Sequence, residues 1–109
     1  MHEYKLIALD LDGTLLDSGK RLSPKNAAAL RRAAESGAQI VPTTGRFFDG
    51  MPQVIRELPY LCYAITINGA QVLDVRTGSV LYRAEIPLPR ALAIMEYLDT
   101  LPVIYDCYC

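Results

Sequence analysis

Apolar and polar residues alternate along the chain in blocks that predict strands and helices in turn. Residues 5–10 are nearly all apolar, which is typical of a strand buried on both faces. A helix is predicted next, because Ser23 can cap its start, Pro24 suits its first turn and Gly37 suits the position after its end. The apolar stripe of this helix consists of Ala27, Leu30, Ala33 and Ala34.

The alternation continues with a second strand over residues 39–43, a helix over 47–58 and a third strand over 62–67. Gly50 and Pro52 weaken the start of the second helix. The order strand, helix, strand, helix, strand is typical of a parallel α/β sheet with right-handed crossovers.

The pattern changes after residue 69 and predicts a β-hairpin. Residues 71–75 and 79–86 flank the stretch Arg76-Thr77-Gly78, which places a glycine in the turn. A helix over 89–101 and a strand over 103–109 are predicted to follow.

Three polar segments that contain glycine stand where the three predicted parallel strands end. They are residues 10–14 (DLDGT), 43–46 (TTGR) and 66–69 (TING). Ligands of open α/β sheets bind outside the carboxyl ends of the strands, so these segments are expected to converge on one crevice.

The first of these segments places two aspartates one residue apart. Residues two apart in an extended chain project to the same side, so Asp10 and Asp12 could face one pocket. Two close carboxylates repel and need a cation or a shared proton, and Mg²⁺ prefers oxygen ligands. Thr14, Thr44 and Gly45 would add hydroxyls and a close backbone approach, which suits a phosphate. The alternative is that the aspartates and glycine serve only the turn.

Composition excludes several classes of partner. The 109 residues are 51% hydrophobic and carry a net charge of -1, which predicts a folded protein without a footprint for nucleic acid or an anionic membrane. No signal peptide or membrane span is evident, and a cytoplasmic location is expected. Cys62, Cys107 and Cys109 do not complete a zinc site or a disulfide framework, and His2 is the only histidine.

The apolar strand followed by DLDGTLLD, then TTGR and then INGA, resembles the haloacid dehalogenase superfamily. The T-G-R and N-G-A segments and the hairpin after them are most similar to its Cof-type sugar-phosphate phosphatases. The resemblance implies an incomplete Rossmann-like core with its β-hairpin over residues 1–86. Residues 87–109 would then begin an α/β cap domain.

The resemblance also implies a role for each matching position. Asp10 matches the nucleophile that forms an aspartyl-phosphate, and Asp12 matches the general acid/base. Mg²⁺ would be held by the Asp10 carboxylate and the Asp12 backbone carbonyl. The remaining matches are phosphate- or substrate-binding positions: Gly13, Thr14, Thr44, Gly45, Arg46, Asn68 and Gly69. Arg46 could instead pair with a surface carboxylate.

The chain departs from the family pattern in its second half. The family's third motif supplies a lysine and its fourth an acidic pair, but no lysine follows Lys25 and no adjacent acidic pair follows residue 70. We therefore expect the 109-residue chain to be inactive by itself and its first strand to be an exposed edge. The leading hypothesis is part of a Mg²⁺-dependent phosphatase of small phosphorylated metabolites. The alternatives are a non-catalytic module that oligomerises or weakly binds phosphate ligands, and an enzyme completed by a second chain.

Overall fold

A computed structural model describes residues 3–108 as one mixed sheet with three helices. The elements in chain order are β1 (Leu6–Asp10), α1 (Pro24–Glu35), β2 (Gln39–Thr43), a 3₁₀ turn (Phe48–Gly50), α2 (Gln53–Arg56), β3 (Tyr63–Thr66), a second 3₁₀ turn (Ile67–Gly69), β4 (Gln71–Asp74), β5 (Val80–Arg83) and α3 (Leu88–Asp99). Within the described part of the chain, no helix is both long enough and apolar enough to cross a bilayer.

The sheet follows the chain order, β1-β2-β3-β4-β5. The first three strands are parallel, and Asp10 lies opposite Thr43 at the end of the β1–β2 ladder. Strands β4 and β5 then return antiparallel as the predicted hairpin. The parallel α/β arrangement followed by a hairpin is therefore confirmed.

Helix α1 begins and ends where its capping residues predict. The Ser23 hydroxyl accepts a hydrogen bond from the Asn26 backbone N–H at 3.1 Å, and Gly37 adopts a φ of +99° after the last turn. Leu30 carries the apolar stripe into the core. The buried core consists of Leu11, Leu15, Leu16, Leu30, Ile40, Met51, Ile55 and Ala64.

The prediction of one helix over residues 47–58 is wrong, because Pro52 interrupts it. Pro52 lacks an N–H and disfavours a helical residue before it, so Met51 is extended with ψ at 147°. The segment is therefore divided into the 3₁₀ turn Phe48–Gly50 and the single turn of α2.

The prediction that the first strand is buried on both faces is also wrong. β1 is the outer strand of the described sheet, and its residues are exposed or half-buried, with Leu6 57% exposed. Apolar composition indicates burial only where neighbouring strands and helices cover a strand on every side. The expectation of an exposed edge is confirmed.

The predicted strand over residues 103–109 is not formed in the described part, 103–108, and Cys109 lies outside the described residues. A strand requires a neighbouring ladder, and side-chain contacts hold this segment instead. The Tyr105 hydroxyl donates to Asp99 at 2.7 Å, and the rings of Tyr108 and Phe47 pack in a T-shaped arrangement with their centres 4.8 Å apart. Cys107 is exposed rather than on a strand, and His2 is outside the described residues.

Arg76 stabilises the hairpin turn through its side-chain contacts. We expect Arg76→Met to destabilise the pairing of β4 and β5. The guanidinium donates to Asp74 at 3.0 Å and to the Tyr63 hydroxyl at 3.0 Å, and it lies 5.1 Å from the centre of the Tyr63 ring. Faster amide hydrogen exchange in β4 and β5 at neutral pH, with little change in α1, is the expected result.

The contribution of this ion pair to stability should disappear in acid. The hydrogen bond from Arg76 holds the pKa of Asp74 below its ordinary value of 3.8. A lowered folded pKa stabilises the fold above the unfolded value and ceases to do so as pH falls through the folded value. The difference between Arg76→Met and the unaltered chain should therefore shrink once Asp74 is protonated, leaving only the contacts of Arg76 with Tyr63. An exchange difference of undiminished size in acid would contradict a stabilising ion pair.

Candidate active site at the strand ends

The ends of β1, β2 and β3 surround one open cavity of about 380 Å³. It is lined by Ala8, Asp10, Thr43, Thr44, Gly45 and Asn68. Four of the predicted site residues, Asp10, Thr44, Gly45 and Asn68, therefore share this cavity although 58 positions separate the first from the last. The predicted convergence of the strand ends is observed.

The loop after β1 presents Asp10 and turns the chain directly behind it. The Thr14 hydroxyl donates to the Asp10 carboxylate at 2.9 Å, and the Leu15 N–H donates to the Asp10 backbone carbonyl at 3.2 Å. Gly13 permits the turn with a φ of +76°, a conformation that favours glycine. Leu15 and Leu16 then anchor the loop in the core.

Asp12 does not line the cavity but lies beside it, between two cations. Lys20 Nζ is 2.6 Å from one carboxylate oxygen, and Arg46 Nε is 3.0 Å from the other. The hydrogen bond from Lys20, with the charges of Arg46 and Lys20, holds the pKa of Asp12 below its ordinary value. The two cations therefore favour the ionised form of Asp12, which is the form that accepts a proton.

Sequence reasoning missed Lys20 as a site residue. It lies in a polar loop eight positions after Asp12, and no motif predicts that its side chain returns to the site. The only available indication is local: Asp17 and Gly19 favour a tight turn that reverses the chain there.

Thr44 is positioned by backbone hydrogen bonds from both sides. Its N–H donates to the Ile65 carbonyl at 2.9 Å, and its carbonyl accepts from the Asn68 N–H at 3.1 Å. The side chain is only 6% exposed, and its hydroxyl accepts from the Arg46 N–H at 3.2 Å. β2 and the loop after β3 are thus joined at the phosphate-binding position that the sequence predicts.

The loop after β3 has an unusual backbone. Ile67, Asn68 and Gly69 have φ values of 51°, 53° and 93°, and a positive φ in a β-branched isoleucine costs free energy. The strained turn aims Asn68 at Gly45, and a Cβ atom added to Gly45 would stand 2.8 Å from the Asn68 side-chain oxygen. A larger residue at position 45 would therefore require the Asn68 side chain to shift.

Gly45→Ala should displace Asn68 and weaken binding of methylphosphonate, a stable analogue of a phosphate ester. The added methyl group would stand 2.8 Å from the side-chain oxygen, so the Asn68 side chain, which lines the cavity, must shift. We expect a loss of about tenfold in affinity by calorimetry, comparable to one charge-assisted hydrogen bond.

Gly50→Ala is the matched control for this substitution. A Cβ atom at Gly50 would lie 3.6 Å from its nearest neighbour, Arg46 Cβ, which is an ordinary contact. Equal losses from the two substitutions would mean that the approach of Gly45 to Asn68 is irrelevant to binding.

The oxygen donors at this site could supply part of the coordination of a hard cation. Asp10 offers a carboxylate and Asp12 a backbone carbonyl, and oxygen donors of this kind suit Mg²⁺, which also keeps several water ligands. Among residues 3–108, no three side chains of His, Cys, Asp or Glu come together to hold a metal. The described residues therefore fit one side of a magnesium site.

Comparison with known proteins assigns the same pattern to a family. The model of the haloacid dehalogenase-like hydrolases matches residues 7–109. Phosphatase YwpJ of Bacillus subtilis is 35% identical over 104 residues, which cover 95% of this chain and 36% of YwpJ. Pyridoxal phosphate phosphatase YbhA of Escherichia coli is 38% identical over 95 residues, covering 87% of this chain and 35% of YbhA.

Solved structures agree with the sequence relatives. A haloacid dehalogenase-like hydrolase from B. subtilis superposes with a TM-score of 0.74 at 39% identity, covering 88% of this chain and 33% of that protein. The chain thus spans about a third of the length of the relatives it matches.

Proposed function

Because this chain belongs to the haloacid dehalogenase-like hydrolase family, we propose that it is part of a Mg²⁺-dependent phosphatase of small phosphorylated metabolites. The observation that carries the proposal is the shared cavity of Asp10 and Thr44, which the parallel register of β1 and β2 brings together. Residues 1–86 would be the N-terminal part of the core domain, and residues 87–109 would begin the cap. The relative YbhA is a pyridoxal phosphate phosphatase, and pyridoxal phosphate is a small phosphorylated metabolite, which supports this substrate class.

Asp10 is the proposed nucleophile. Its carboxylate faces the cavity and would form a bond to phosphorus while the bond to the ester oxygen breaks, which leaves an aspartyl-phosphate. Water would then attack phosphorus and release inorganic phosphate and the free carboxylate. A covalent intermediate divides one difficult displacement into two easier ones. The hydrogen bond from Thr14 fixes the attacking carboxylate in one orientation.

Asp12 is the proposed proton carrier. Asp12 would take up a proton from solvent and give it to the ester oxygen as that oxygen leaves in the first step. It would then take a proton from the attacking water in the second step, which restores its protonated form. Lys20 and Arg46 fix the carboxylate through its two oxygens. A correctly placed acid or base typically contributes about 10²–10⁴-fold to the rate.

The phosphate would be bound by groups at the ends of β2 and β3. Thr44 would donate its hydroxyl, Gly45 would allow close approach of the backbone, and Asn68 beside them would donate its side-chain amide N–H. Gly13 and Gly69 contribute through backbone conformation. Mg²⁺, held by Asp10 and the Asp12 carbonyl, would neutralise charge on the phosphate. Phosphoryl transfer depends mainly on such positioning and neutralisation.

A chimera tests the proposal directly. Residues 1–109 would replace the matching N-terminal part of YwpJ, and hydrolysis of a generic phosphate monoester would be followed with and without Mg²⁺. We expect the 109-residue chain alone to be inactive and the chimera to be active only with Mg²⁺. A folded chimera without activity would favour the non-catalytic alternative.

The alternative, a module that associates through its sheet edge, has one observation in its favour. β1 exposes its outer edge and Leu6, and unpaired edges are templates for another chain. Light scattering would detect such association. A stable dimer, together with a chimera that lacks phosphatase activity, would support association as the function. A cytoplasmic location stays a prediction.

A further inference from the structure

A tight turn at residues 17–21 brings Lys20 back to the site. The Asp17 carboxylate accepts hydrogen bonds from the N–H groups of Gly19 and Arg21 at 2.8 and 2.9 Å, and its carbonyl accepts from Lys20 N–H at 3.0 Å. Lys20 itself has a φ of +61°, a left-handed conformation that is uncommon for lysine. The hydrogen bonds of the turn therefore hold Lys20 in a backbone conformation that lysine rarely adopts.

The Lys20 ammonium is placed beside Asp12, opposite Arg46. It lies 2.6 Å from one Asp12 oxygen, while Arg46 takes the other oxygen at 3.0 Å. Its side chain remains 50% exposed, and an ammonium has three donors, so donors remain for a further acceptor. Asp12 thus holds the Lys20 ammonium in place and leaves N–H donors for another acceptor.

The formal charges of the side chains at and beside the site also permit an anion to bind. The carboxylates of Asp10 and Asp12 are offset by Lys20 and Arg46, so an incoming phosphate does not meet a net negative site. Without Lys20 the three remaining side chains would carry a net negative charge, which makes the approach of an anion less favourable.

We propose that Lys20 is a substrate-binding residue that takes a negatively charged oxygen of the substrate, working beside Arg46. The assignment rests on the proposed phosphatase function and extends it to a residue outside the predicted motifs. The bound oxygen could belong to the phosphoryl group that is transferred or to a second anionic group of the substrate. In both cases the chemistry is an ammonium that donates to an oxyanion.

Three variants separate charge from backbone effects. Lys20→Asn removes the charge and keeps a residue that tolerates a positive φ. Lys20→Arg keeps the charge, and Arg21→Gln removes a neighbouring charge whose side chain is 82% exposed and pairs with Asp17. Circular dichroism would establish that all three fold as the unaltered chain does.

Two stable phosphonates serve as probes, measured by calorimetry with the 109-residue chain at a fixed free Mg²⁺ concentration. Methylphosphonate carries only the phosphonate, and phosphonoacetate adds a carboxylate. We expect Lys20→Asn to weaken binding about tenfold, as the loss of a charge-assisted hydrogen bond would, while Lys20→Arg and Arg21→Gln bind nearly as well as the unaltered chain. Equal losses for both probes would assign Lys20 to the transferred group, and a larger loss for phosphonoacetate would assign it to the second anion.

The proposal is overturned if Lys20→Asn binds both probes like the unaltered chain, or if the unaltered chain binds neither. Failure of the phosphatase proposal has a different signature, because it concerns activity of the YwpJ chimera. An inactive chimera together with a Lys20-dependent phosphonate affinity would leave an anion-binding site without catalysis.

Discussion

Asp10→Asn is expected to abolish Mg²⁺-dependent phosphatase activity in the YwpJ chimera, with a loss of at least about 10³-fold. An amide cannot attack phosphorus as a carboxylate does, and it removes the charge that would face the metal. The cavity should survive, because asparagine has the same shape and its side-chain oxygen can still accept from the Thr14 hydroxyl. The loss should therefore appear in kcat, with a small change in KM.

Asp49→Asn is the matched control for this prediction. Asp49 is exposed in the 3₁₀ turn Phe48–Gly50 and does not line the cavity, yet its substitution makes the same change of charge. We expect full activity from this variant. Activity that survives Asp10→Asn, measured beside a mock purification to exclude contaminating phosphatase, would exclude Asp10 as the nucleophile.

The elements that local chemistry specifies could be predicted from the sequence. Ser23, Pro24 and Gly37 limit α1 through capping and backbone preference, which act within a few residues. The convergence of Asp10 and Thr44 could be predicted as well, since parallel strands place their carboxyl ends at one edge. Both inferences need only the local pattern and one rule of topology.

Features that depend on tertiary partners could not be predicted in the same way. The apolar composition of β1 does not reveal which strands flank it, and residues 103–108 favour a strand that no neighbour completes. Lys20 reaches Asp12 only because a turn reverses the chain between them. Sequence patterns specify which residues are suited to a contact, but the surrounding chain determines whether the contact forms.

Leu11→Ala is expected to lower the free energy of unfolding by about 2–5 kcal/mol, the range for truncation of a fully buried leucine. Leu11 is 1% exposed and belongs to the core that includes Leu16 and Ile55. Its carbonyl also accepts hydrogen bonds from the N–H groups of Thr14 and Leu16 at 3.2 and 2.9 Å. Urea unfolding followed by circular dichroism measures the change.

Leu6→Ala provides the comparison, because it makes the same truncation on the exposed face of β1. Leu6 is 57% exposed, so its loss should cost less than about 1 kcal/mol. Similar costs for the two variants would mean that the segment after β1 is not packed as described.

Leu11→Ala should also weaken binding of methylphosphonate, because buried and exposed side chains alternate in this segment. Leu11 is buried between two aspartates that are exposed, so the side chain that enters the core holds the backbone that presents both carboxylates. Methylphosphonate affinity should fall in Leu11→Ala, measured where the variant remains folded, and stay unchanged in Leu6→Ala. Full affinity in a folded Leu11→Ala variant would mean that the hydrogen bonds of the loop position the carboxylates without the core contact.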